Sequence, residues 1–243
     1  MQFDPNTWRP LGWRSGQATL DAVLATAALA KGCKRRGEPL SQVQVDALAD
    51  RKLLLDCYAT PRWVWRLAGY ICGVKAGEWC GDPFHNPWSR AAAENLAPDA
   101  WRFDGSTPDL DGLRTLAEAL YLHDCDLPAW PGSGPVLANG PHSANGKWLP
   151  LCAAAGRSRI VVAVVPLDVV RWYVEHGMTC DLEVQLGRVD YDPPPGVTLT
   201  TGNERCSSLL IWLPHTREDD KVVDAAMIKI RDDRGKVRHC PLR

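Results

Sequence analysis

Residues Gly140 to Trp148, GPHSANGKW, come nearest in this chain to a chemical signature. A glycine, a polar stretch and then Gly146-Lys147 suggest a loop wrapped around phosphates. The phosphate loop of NTPases reads G-x-x-x-x-G-K-[ST]. Its backbone N–H groups cradle the phosphates, its lysine reaches the outer oxygens and its hydroxyl holds Mg²⁺. Here five residues separate Gly140 from Gly146, and Trp148 stands where the hydroxyl is needed. Trp148-Leu149-Pro150 also opposes the first turn of the helix that has to follow. The spacing argues against NTPase chemistry. What survives is a candidate anion loop in which His142, Ser143 and Lys147 join glycine N–H groups in a small nest. An enzyme built on residues 133–148 would take a phosphate- or carboxylate-bearing ligand. The plainer expectation is a surface loop turned at Asn139-Gly140 and Asn145-Gly146.

The second constellation is basic and aromatic. The chain holds eleven Trp, and six of them sit directly beside an Arg. Lys31, Lys34, Arg35 and Arg36 cluster in KGCKRRG, read as a loop between two helices. Arg62 and Arg66 lie one helical turn apart beside Trp65. Cations for phosphates and an aromatic for base stacking are what a single nucleic-acid strand requires. Trp and Arg are also the residues most enriched at protein interfaces. The opposing expectation is that most of these Trp are core, because adjacent residues in a helix or strand face different ways.

Other chemistry is weakly represented. Cys57, Cys72, Cys80 and His85 match no compact zinc spacing, and the nine cysteines include no C-x-x-C pair. No G-x-S-x-G elbow appears, and Pro166-Leu167-Asp168 lacks the glycine turn of a dinucleotide site. No metal and no cofactor is expected. With 243 residues, 45% hydrophobic and 23% charged, the chain is long enough for one large or two small folded domains. A net charge of −1 makes any nucleic-acid contact a matter of a local patch. The amino end shows no secretory pattern and the longest apolar run is too short to span a bilayer, so a cytoplasmic protein without membrane contact is expected.

The elements that must position these residues read as follows. Thr19 caps a helix that Gly32 stops, and Ser41 with Gln44 forms a capping box for the next. Thr60-Pro61, Asn86-Pro87 and Thr107-Pro108 each pair a cap with a proline at a helix start. Residues 127–147 are rich in Pro and Gly and read as a long loop or linker. Beyond them RIVVAVVP (159–166) is a buried strand, residues 167–177 a short helix, and 181–189 an alternating strand. SSLLIWL (207–213) is a further strand, and residues 226–231 with 236–240 form a hairpin.

The expectation is an α+β fold: about five helices in a mainly helical region 1–128, a linker or functional loop 129–150, and a β-rich region 151–243 with one helix. The β-α-β-β order of that last region is shared with ferredoxin-like and RNA-recognition-type sheets, without their motif residues. Function reads as a non-catalytic binding subunit of a larger complex that handles nucleic acid, with a protein partner. The alternative is a small enzyme using the 133–148 loop.

Overall fold

A computed structural model describes residues 3–4, 9–10, 12–55, 58–102, 130–140, 142, 145–167, 173, 177–198, 205–214 and 227–241. Its centre is a six-stranded mixed sheet. The strands are β3 (Trp79–Asp82), β4 (Leu96–Arg102), β5 (Val136–Ala138), β6 (Val161–Pro166), β7 (Leu182–Arg188) and β8 (Cys206–Trp212). Their spatial order is β4-β3-β5-β6-β8-β7. The first four are parallel, β8 runs antiparallel to β6, and β7 runs antiparallel to β8. Two short pairs lie outside this sheet, β1 (Phe3–Asp4) with β2 (Arg9–Pro10) and β9 (Met227–Arg231) with β10 (Val237–Pro241).

Among the described residues five helices accompany the strands: α1 (Leu20–Arg35), α2 (Gln42–Leu55), α3 (Arg62–Cys72), α4 (Arg90–Asn95) and α5 (Asn145–Ala155). Together with the mixed sheet they give the expected α+β class. The central strands are apolar on both faces because both faces are covered. Val162 and Val164 of β6, Leu137 of β5, and Leu209 and Ile211 of β8 share a core with Trp63, Trp65 and Leu67 of α3. Their neighbours Val161, Ala163, Val165, Val136, Leu210 and Trp212 pack with Trp148, Leu149 and Cys152 of α5. Strand period two divides one run of residues between two cores.

Several sequence expectations hold in detail. Thr19 Oγ1 accepts the N–H of Ala22 at 3.2 Å. Ser41 and Gln44 close a reciprocal capping box, with Ser41 N donating to Gln44 Oε1 at 2.9 Å and Gln44 N to Ser41 Oγ at 3.3 Å. The strands expected after residue 159 and the terminal hairpin are present. Helix α3 ends where Gly73 takes a left-handed φ of 68°, which costs a glycine nothing.

Others are corrected. Helix α1 does not stop at Gly32 but continues to Arg35, so Lys31, Lys34 and Arg35 lie on its last turns rather than in a loop. Cations at a helix carboxyl end suit the macrodipole, and one glycine costs only about 1 kcal/mol. Helix α4 starts three residues after Pro87, where the Ser89 hydroxyl accepts the N–H of Ala92. Two short strands, β3 and β4, interrupt the region read as helical. Inside the Pro/Gly-rich stretch, residues 136–138 form β5 and α5 begins at Asn145, passing through Pro150. That proline forfeits a helix hydrogen bond, about 3 kcal/mol. Burial of Trp148, Leu149, Leu151 and Cys152 at about 1.5–3 kcal/mol for each large side chain outweighs it. The helix expected after Thr107 lies outside the described residues, as does most of that expected at 167–177.

Candidate functional site

Two strand–helix–strand units share the sheet's parallel part. From β3 the chain passes through α4 to β4 on one side, and from β5 it passes through α5 to β6 on the other. Between β3 and β5 the winding reverses. In open α/β sheets, the crevice outside the carboxyl ends of the strands at such a reversal is where ligands bind.

A small cleft of about 10 Å³, room for about one water, lies there, lined by Ala59, Thr60, Trp65, Asp82, Phe84, Asn86, Ser89, Ala92 and Asn139. Asp82 is the last residue of β3 and Asn139 follows the last residue of β5. Asp82 is 6% exposed. Its Oδ1 accepts the N–H of Phe84 at 3.1 Å, and its Oδ2 lies 3.4 Å from His85 Nδ1. That Nδ1 has no hydrogen-bond partner. The Asn86 amide donates to the carbonyl of Tyr58 at 3.4 Å, and the Ser89 hydroxyl is committed to capping α4. Ala59 forms a two-bond bridge with Asp192, which fastens the cleft's outer edge. Trp65 from α3 is 1% exposed, meets Trp79 edge to face at 5.7 Å, and its indole N–H has no partner. Phe84 leans on Trp148, ring centroids 5.3 Å apart, so the cleft wall is tied to α5. The described lining therefore carries one carboxylate and no Lys or Arg.

Of the three anion-loop residues, the side chain of His142 is described. His142 lies edge-on to Tyr191, centroids 5.8 Å apart. Tyr191 shares a hydrogen bond with Ser207 at 3.2 Å. Burial pushes the Tyr191 hydroxyl up to about 12, with the Ser207 hydrogen bond opposing. Ser143 and the Lys147 side chain lie outside the described residues. Asn145, the first residue of α5, is buried with neither amide atom bonded.

The basic residues fall in two places. Lys34, Arg35 and Arg36 are exposed and Lys31 half-buried at the far end of α1, with Arg36 Nε donating to Glu38 at 2.6 Å. Arg36 is held above its ordinary value by that bond to Glu38. Leu29 and Val43 are exposed on the same helix pair. Arg62 and Arg66 are exposed on α3, and Arg62 is paired with Glu94. Trp65 is not beside them on the surface, since it faces the core and the cleft.

Among the described residues, no group of three or more His, Cys, Asp or Glu is disposed to hold a metal ion. Also among them, no helix is long and apolar enough to cross a membrane. Comparison of the chain with protein-family models, curated proteins and solved structures finds no match.

Sequence reading gave Asn86 a capping role and Asn139 a turn, and passed over Asp82 and Ser89. A local signal exists in WCGDPFHNP, where an apolar pair and glycine lead into Asp-Pro. A four-residue strand is too short to display a period, so nothing marked Asp82 as a strand-end carboxylate.

Proposed function

We propose that the chain is a group-transfer enzyme in which a phosphate-free, positively charged nucleoside, a methyl donor of the S-adenosylmethionine type, lies across the carboxyl ends of β3 and β5 beside Asp82. The observation that carries this reading is a crevice at the sheet's reversal point lined by Asp82 and by no described Lys or Arg. A nucleotide's phosphates require a glycine nest, a helix amino end or cations. This lining offers a carboxylate, hydroxyls, amides and two aromatic rings, and at its one helix amino end, that of the short α4, the Ala92 N–H is taken by Ser89. A carboxylate at a strand end serves ribose hydroxyls or a cationic group. The enclosed space of about 10 Å³ holds about one water, so such a ligand has to lie across the open strand ends. In the transfer, the sulfonium S–C bond breaks and its electrons stay on sulfur, leaving a neutral thioether. The substrate nucleophile gains the methyl group and gives up a proton to solvent.

Titration calorimetry with S-adenosylhomocysteine, NAD⁺ and ATP tests this. S-adenosylhomocysteine should bind at micromolar concentration, and Asp82→Asn should weaken it about tenfold or more, the scale of one charge-assisted contact. Binding of ATP or NAD⁺ with none of S-adenosylhomocysteine would overturn the reading.

A second reading concerns the macromolecular substrate or partner. Helix α1 packs at its amino end with Leu54, Tyr58 and Val197, close to the cleft residue Ala59. It then runs 16 residues, about 24 Å, to the exposed cations Lys34 and Arg35. A basic end on an arm rooted beside the cleft favours nucleic acid as the polymer presented to it. Lys34, Arg35 and Arg36 changed together to Ala should weaken DNA or RNA binding and flatten its salt dependence. A wild-type protein with no salt-dependent binding to either would refute it.

A further inference from the structure

We infer that His85 is the general base of the transfer, its Nε2 taking the proton that the acceptor loses while Asp82 holds the imidazole in place. This rests on the methyl-transfer reading above and names the group that receives the proton before solvent does. The local sequence explains the arrangement. Strand β3 ends at Asp82, and Pro83 has no N–H with which to extend it. The chain turns there, with Asp82 Oδ1 accepting the Phe84 N–H at 3.1 Å. The turn brings His85 back over the other carboxylate oxygen, with Nδ1 3.4 Å from Oδ2. Both neighbours of His85 are fastened. Phe84 packs on Trp148, and the Asn86 amide donates to the Tyr58 carbonyl. A buried carboxylate requires a partner, and the cleft lining offers Asp82 no Lys or Arg. The imidazole of His85 is the basic group beside it.

The two ring nitrogens differ in surroundings. Nδ1 is buried against the carboxylate. Nε2 is not among the buried unpaired atoms and makes no hydrogen bond among the described residues. The side chain keeps 10% of its surface exposed, so Nε2 is the nitrogen open to an incoming proton. A proton on Nδ1, directed at Asp82, leaves the Nε2 lone pair facing outward. At 3.4 Å the Nδ1–Oδ2 contact is longer than a formed hydrogen bond, and such contacts tighten once substrate is bound. In the reaction the acceptor's lone pair forms the bond to the methyl carbon, and the S–C electrons return to sulfur. The acceptor's proton passes to Nε2, and the imidazolium is stabilised by the Asp82 carboxylate. Nε2 then releases the proton to solvent. An ionised carboxylate has about four lone-pair sites, so Asp82 orients His85 and still meets the ligand.

The tautomer is tested first, without ligand. In ¹⁵N-histidine-labelled protein above about pH 8, where an ordinary imidazole is neutral, His85 should carry its proton on Nδ1 and show Nε2 bare. Its resonances are assigned by their loss in His85→Gln. In Asp82→Asn the proton should move to Nε2, a change that a purely structural aspartate would not produce. A wild-type proton on Nε2, or an unchanged tautomer in Asp82→Asn, would overturn the inference. Diethyl pyrocarbonate, which acylates a bare imidazole nitrogen, tests the place. S-adenosylhomocysteine at about ten times its Kd should slow acylation of His85 about tenfold and leave the exposed His239 unchanged. Equal rates in protein that calorimetry shows to be loaded refute the role of His85 and leave the nucleoside reading standing. With sheared DNA and total RNA as acceptors, His85→Gln should turn over S-adenosylmethionine about 100-fold more slowly or worse without losing affinity for S-adenosylhomocysteine. Full turnover by that variant refutes the base. Wild type inert toward both polymers leaves the decision to the first two measurements, which need no acceptor. A wild type that binds no S-adenosylhomocysteine refutes both readings.

Discussion

Gly140 joins the GPHSANGKW loop to the cleft wall, and replacing it with alanine tests that link. A Cβ built at Gly140 would lie 2.5 Å from Trp148 Cε2, 2.6 Å from its Nε1 and 2.9 Å from Phe84 Cε2. Trp148 is fully buried, so it has no room to retreat. Phe84 is only half-buried and is the residue that must give way. Overpacking of this kind costs about 1–3 kcal/mol, and two ring contacts below 3 Å put Gly140→Ala near the upper end, about 2–3 kcal/mol. At a urea slope of about 2.5 kcal/mol/M the midpoint should fall by about 1 M. Displacing Phe84 should also weaken whatever the cleft binds. Gly37→Ala is the control: its φ is +74° but nothing lies within 4 Å of a new Cβ. It should cost about 1 kcal/mol of backbone strain and leave ligand affinity unchanged. Equilibrium urea unfolding of the three proteins, followed by titration with S-adenosylhomocysteine, reads both effects. A Gly140→Ala midpoint equal to wild type would refute the packing argument, since the clash would then have been absorbed without cost.

Asp50 is fully buried and accepts N–H groups of Arg14 at 2.9 and 3.0 Å and of Ser15 at 2.7 Å, which ties the segment before α1 to α2. Asp50→Ala orphans both donors and should cost about 3–4 kcal/mol in urea unfolding, and a loss below about 1 kcal/mol would contradict this. Tyr191 titrates higher folded than unfolded, because burial disfavours the phenolate. Above about pH 10 the unfolded chain loses its proton first, so the contribution of Tyr191 is fully present below pH 10 and declines as pH rises through about 12. The full effect is at most about 2–3 kcal/mol. Unfolding midpoints from pH 9 to 11.5 should fall more steeply for wild type than for Tyr191→Phe, and parallel profiles would rule the idea out. Asp232 behaves in the opposite sense. Burial pushes its carboxyl up, but the N–H of Lys236, the Arg238 guanidinium and the N–H of Arg234 outweigh that and hold it below the usual range. Its stabilisation is present above about pH 4 and lost as pH falls through the lowered value, so the loss on Asp232→Asn in urea unfolding should be largest near neutral pH and shrink as pH falls below about 4.

Local patterns settled much of the architecture without the fold. Capping chemistry at Thr19 and Ser41 acts within four residues, so the starts of α1 and α2 were legible. The β-branched run 161–166 announced a doubly covered strand, and the alternation of 182–188 a half-covered one. The irregular spacing of GPHSANGKW was legible too, whereas the strand before it and the helix that opens at Asn145 were not.

What sequence could not decide was set by contacts between distant segments. Strand β5 has three residues, and it is a strand because Val136–Ala138 pairs with Val161–Ala163. Helix α5 tolerates Pro150 because Trp148 and Leu149 fill the core beneath the sheet. The cleft follows from the same cause. Asp82 and Asn139 are separated by most of the middle of the chain and by β4, and only the parallel pairing of β3 with β5 brings their strand ends side by side. Residue types and short spacings were written in the sequence. The meeting of a carboxylate, an amide and the buried Trp65 at the carboxyl ends of two neighbouring strands was decided by strand order, a property that no local pattern encodes.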